Sequence, residues 1–172
     1  NVSVNGGVTS ISSGTVALGT SISAVNDAPI ATGAATLAAE AEDVTAAAGS
    51  SVGSLFGSNF SDSTDGVTSG SSAHSLKGVA IVGNTATAAQ GKWQWSSDGS
   101  AWTDIATTGL SDSAAVYVGA ATRVRFVPAA NYNGTPGSLT VRLIESSDSA
   151  APADGGTYDV SVNGGATSIS SG

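Results

Sequence analysis

Residues 159–172 read DVSVNGGATSISSG and residues 1–14 read NVSVNGGVTSISSG, so twelve of fourteen positions coincide at an offset of 158. Two strand-and-turn patterns of this length do not coincide by chance. The chain reads as one full period of a tandem array plus a small overlap. The offset is far longer than the roughly 20–50 residues of a solenoid repeat and fits a whole domain per period. A unit repeated in series serves as a spacer or as a binding bead.

Composition narrows the choice. Only 10% of residues are charged, and 13 acids against 5 bases leave a net charge of −8. Nucleic acid and anionic membrane surfaces are poor partners for such a chain, because phosphate binding needs clustered Lys and Arg. The balance suits an exported protein that collects cations. There is no cysteine, hence no disulfide and no thiolate metal site. A core, or hard cations on oxygen ligands, must then hold the fold. No apolar run approaches the ~20 residues of a membrane helix, and no signal peptide is evident. The lack of methionine leads us to expect a fragment or processed chain of a longer parent.

No segment carries a capped helical period. Short β-branched or alternating runs, punctuated by Gly, Ser, Asn and Asp, point to an all-β chain. Strands are expected over residues 15–25, 34–40, 52–55, 76–82, 92–96, 102–105, 115–118, 123–127, 138–145 and 158–162. Residues 35–48 are Ala-rich, but their Gly flanks and the acidic break at Glu42 and Asp43 argue for strand and turn rather than helix. The clearest hairpin is KWQWSSDGSAWTDI, from Lys92 to Ile105. Asp98-Gly99 is a type I′ turn signal. As a two-residue loop it sets Trp95 opposite Trp102 with Trp93 on the same face, whereas a G1 bulge shifts that register by one.

Asn26-Asp27-Ala28-Pro29 marks a joint, since proline denies helix to the residue before it and stiffens the connection. Residues 1–25 are then the terminal strands of a preceding repeat. Residues 26–172 are a repeat whose own last strand, the counterpart of the segment from Thr15 to Val25, would follow Gly172.

Several stretches together resemble one family. AVNDAP (residues 24–29), the acidic pair Glu42 and Asp43, SLFGSNFSDSTDG (residues 54–66) and FVPAANYNGTPGSLTVRL (residues 126–143) are similar to the bacterial cadherin-like, immunoglobulin-like repeats of giant RTX-type surface adhesins. The resemblance spans nearly the whole chain. It implies a Greek-key β-sandwich, export to the bacterial cell surface, tandem arrays acting as extenders, calcium at the domain joints, and no catalysis. It further implies that Asn26 and Asp27 lie near Asp62 and Asp65, and that Glu42 and Asp43 lie at the far end beside the next linker. Calcium takes six to eight oxygens, mixing carboxylates with carbonyls, and these six residues are its expected ligands. Asp62 and Asp65 read equally as turn residues making Asx turns.

Other features have simpler readings. The three tryptophans suit a sugar-stacking platform, but a hairpin Trp more often fills a sandwich core. His74 is the only histidine, and its Ser/Gly-rich setting reads as an exposed loop without a nucleophile elbow. Glu40 and Glu42 share a strand face without a sugar cleft to serve as a glycosidase pair. The glycosylation patterns at Asn1, Asn59 and Asn133 arise readily by chance in a Ser/Thr-rich chain, and Asn133-Gly134 suits a turn. The expectation is an extender repeat that stiffens on calcium and self-assembles head to tail, with the segment from Thr15 to Val25 donated to a neighbour's open sheet edge. A glycan- or protein-binding β-sandwich is the alternative.

Overall fold

The computed structural model describes residues 3–68 and 70–171. Among the described residues ten strands form, and every pairing between them is antiparallel. In chain order they are β1 (Ile30–Ala31), β2 (Ser50–Ser51), β3 (Phe60–Ser61), β4 (Leu76–Asn84), β5 (Gly91–Ser96), β6 (Thr103–Asp104), β7 (Ala115–Gly119), β8 (Arg123–Pro128), β9 (Leu139–Glu145) and β10 (Thr157–Tyr158). One sheet has the order β10-β7-β4-β9, the other β2-β8-β5-β6, and β1 pairs with β3 apart from both.

The two larger sheets share a core. Val79, Ile81, Val118 and Leu143 of the first meet Val124 of the second, with Trp93 and Trp95 packed against the cluster. Strand alternation sends these side chains to one face of each pleat. On β5 the intervening Gln94 joins a polar outer face, where its Oε1 accepts from Arg125 Nε at 2.8 Å. Phe126 and Leu143 are buried as the pattern requires, and Trp93 meets Phe126 edge-on at 5.2 Å.

The first sheet is covered on its outer face as well. Ala80, Ala115, Tyr117 and Ile144 pack there against Val160 and Ile169 of the carboxyl-terminal copy of the repeat. That segment leaves β10, which pairs with β7, crosses the face, and bonds beside β9, where Ser170 N donates to Leu143 O at 3.0 Å and Glu145 N donates to Ser168 O at 3.0 Å. With β10 it therefore clasps both margins of one sheet.

Several local expectations are corrected. Residues 52–55 form a short helix, α1 (Val52–Phe56), in place of a strand. Ser51 caps it, its hydroxyl accepting from Ser54 N, and Val52 drops into the core. Residues 15–25 and 34–40 take no strand, because neither finds a ladder partner. In the hairpin, Trp95 opposes Thr103 rather than Trp102. Gly99 takes φ 74° and Asp98 Oδ1 accepts from Ser100 N and Ala101 N, which lengthens the loop and moves the register by one. Trp102 stacks instead on Arg125, 3.9 Å from ring centroid to Cζ.

Candidate metal centre

The end of the sandwich where β4 begins and β9 ends gathers the joint, the loop after β3 and the loop before β4. The joint is pinned there by three bonds. Asp27 N donates to Asp65 Oδ2 at 3.1 Å, Asn26 Nδ2 donates to Thr167 O at 3.2 Å, and Ala28 N donates to Gly165 O at 2.7 Å. Asn26 and Asp27 thus stand beside Asp65. Asp65 spends its carboxylate on the Asp27 amide.

Asp62 turns the other way. Its Oδ2 accepts from His74 N at 2.5 Å, and His74 Nδ1 stands 3.4 Å from the same oxygen and 3.9 Å from Glu145 Oε1. One ligand atom from each of Asp62, His74 and Glu145 lies within 4.8 Å of the others. The two carboxylates are almost wholly sealed, with side-chain exposures of 1% and 0%. Asp62 Oδ1, Glu145 Oε2 and His74 Nδ1 have no hydrogen-bond partner, although all three are buried. Each carboxylate accepts one hydrogen bond, from His74 N or from the Ser147 hydroxyl, and burying two charges with so few partners is costly, which favours a cation beside them. A metal ion held between the three side chains would supply that charge.

The donor set selects among metals. Calcium prefers six to eight oxygens and has little use for an imidazole nitrogen. Two carboxylates and one histidine suit a borderline divalent ion such as zinc. Of the six expected ligands only Asp62 belongs to this trio. Glu42 lies exposed. Asp43 is at the opposite end of the sandwich, where its Oδ1 accepts from Asn131 N at 2.8 Å in the loop after β8.

His74 and Glu145 were missed in the sequence for different reasons. His74 sits in a stretch that reads as exposed loop, yet its ring is half-buried against Asp62. Glu145 ends an alternating strand and carries no motif. A lone acid closing an apolar strand in a chain with few charges was the available signal.

The tryptophans are engaged elsewhere. Trp93 Nε1 donates to Gly137 O at 2.8 Å, and Trp95 packs on the core, so neither ring face is free as part of a sugar platform. Asn59 Nδ2 donates to Thr32 O, Gly134 takes φ 126°, and Asn1 lies outside the described residues. No helix among the described residues is long and apolar enough to cross a membrane. Comparison with protein-family profiles, curated proteins and solved structures finds no match for this chain.

Proposed function

We propose that this chain is a structural unit of a large exported bacterial surface protein, a Greek-key, cadherin-like β-sandwich repeated in series to extend and space. It has no catalytic role. The observation that carries the reading is the conformation of the two repeat copies. Gly6 N donates to Ile11 O at 2.8 Å and Gly164 N donates to Ile169 O at 2.8 Å, while Thr9 N and Thr167 N close the same turn on Gly6 and Gly164. The glycine pairs take matching left-handed φ values, 72° and 56° against 71° and 59°. One copy closes a sandwich and the other precedes the joint, as two successive periods of an array require.

The joint and the metal centre share one end of the sandwich, so a cation there ties the linker's neighbours to the sheet and stiffens the array. Calcium, the ion the resemblance implies, would need ligands beyond the Asp62 trio, and a borderline divalent ion would not.

The test is small-angle scattering on a chain spanning two periods. An extender gives a maximum dimension about twice that of one period, and a compact two-period particle overturns the reading. A glycan array on the single chain should be blank; specific capture of one glycan class favours the binding-module alternative.

A further inference from the structure

A groove of about 480 Å³ opens between the two sheets along the free edge of β9. Leu37, Phe56, Ile81, Val124, Leu139 and Val141 are among the apolar residues that line it. Among the described residues nothing pairs with this edge of β9 before Leu143, where the carboxyl-terminal copy takes it up. An unpaired strand edge beside an apolar trough is a template for strand addition.

We propose that this groove seats a fifth strand, supplied by Thr15 to Leu18 of a second copy of this chain. The proposal rests on the reading of the chain as a unit of a series, and deepens it by naming the contact between units.

The register is already set. Ile169 bridges Ile144 in antiparallel sense, and both face the outer cluster. Ile11 is the counterpart of Ile169 in the amino-terminal copy. Carrying that frame forward, beyond the part of β9 that the chain's own carboxyl-terminal copy takes up, puts Val16 opposite Leu139 and Leu18 opposite Gly137. Leu139, Val141 and Leu143 face the inner core, and residues directly opposite in an antiparallel ladder share a face. Val16 and Leu18 therefore point into the trough. In the structure these two side chains are 97% and 100% exposed, and the segment TVALGTSISAV carries no charge to oppose burial.

The chain's own copy is badly placed to do this. Its joint is bonded to Asp65, beside the Glu145 end of β9. A strand in the stated direction runs away from that end. Nine residues from Leu18 to Asp27 would have to double back across about 27 Å, near their limit of about 31 Å. A second copy meets no such limit. The contact is head-to-tail, so it propagates into open chains of molecules unless the rotation closes a ring.

Sedimentation velocity over a concentration series, on the full chain, is the test. Association that grows with concentration, and that a synthetic peptide of residues 14–24 suppresses, is expected. The variant carrying V16D and L18D should be monomeric at every concentration, and at concentrations where the parent is also monomeric the two should melt alike, since both side chains lie outside the fold. A mixed disulfide between V16C of one copy and L139C of another should form, linking different molecules. A chain that stays monomeric and ignores the peptide overturns the inference. So does a monomer whose L18D variant melts lower, which would mean the segment fills its own groove. If the two-period chain still scatters as an extended particle in either case, the strand contact alone has failed and the extender reading stands.

Discussion

Asp62 and Glu145 close on one histidine nitrogen, His74 Nδ1, from 3.4 Å and 3.9 Å, with both carboxylates shut away from water. The first prediction follows from that geometry. Zinc added at a hundredfold excess over its dissociation constant should stabilise the chain by about 2.7 kcal/mol, because an ion bound only by the folded state acts by mass action. Calcium should have a much smaller effect, and His74→Ala should remove the zinc response. Thermal melts with and without chelator read this directly; identical wild-type curves mean that the trio does not bind zinc.

The same pair predicts a gain from losing a charge. Glu145→Gln keeps the shape and removes one buried carboxylate, so the metal-free variant should be more stable by about 1 kcal/mol. It should also respond less to zinc. A metal-free variant that melts lower than the parent would show that the Glu145 charge is already compensated.

Asp148 gives the fold an acid-sensitive clasp. Burial pushes its carboxyl up, but hydrogen bonds from the Tyr158 and Ser168 hydroxyls and the Ala151 and Ala150 amides outweigh that and hold it below the usual carboxylate value. A depressed folded-state value stabilises above the unfolded pKa of about 3.9 and loses that contribution as pH falls through the folded value. Tyr158 works in the opposite sense. Burial first, then its bond to Asp148, raises its hydroxyl above the ordinary range, so its share is complete below a pH of about 10 and fades above it. Amide exchange at residues 168–170 should accelerate below pH 4 before the β4–β9 ladder opens. Asp148→Asn should flatten the acid limb and cost about 2 kcal/mol at neutral pH; an unchanged limb would place the acid sensitivity elsewhere.

Ile169 and Ile11 form a matched pair. Ile169 is 6% exposed on the outer face of the sheet and Ile11 is 37% exposed. Ile169→Ala should cost about 2–4 kcal/mol through lost burial and the cavity left behind. Ile11→Ala should leave the denaturation midpoint of the single chain nearly unmoved. Equal losses from the two substitutions would contradict the difference in packing.

Gly137 is fixed by space. A Cβ there would lie 2.2 Å from the Thr85 carbonyl, and its own carbonyl accepts from Trp93 Nε1. Gly137→Ala should therefore prevent folding or lower the melting point steeply. Gly14→Ala, where nothing lies within 4 Å, should be neutral. Circular dichroism melts of the two variants separate these outcomes.

How much was legible differs by element. The strands from β4 to β9 follow alternating or β-branched runs whose period the pleat imposes, and they appear close to their expected bounds. The strand expected over residues 52–55 is a helix, because a short apolar stretch fits strand and helix alike, and the Ser51 cap with Val52 in the core goes with α1. The hairpin register turned on one residue, and Asp98 bonding to its own loop settled it. The cluster of Asp62, His74 and Glu145 was out of reach because its members come from three segments, joined only when β4 and β9 pair.

The repeated segment separates the two kinds of information most cleanly. Asn5-Gly6-Gly7 and Asn163-Gly164-Gly165 dictate the same turn in both copies, because glycine alone takes those left-handed angles without strain and the closing bonds span only a few residues. That much was determined by the sequence. Whether the turn's isoleucine is buried was not. Ile169 lies against β9 and Ile11 has no sheet beneath it, since apolar burial needs a partner surface that a local sequence cannot supply.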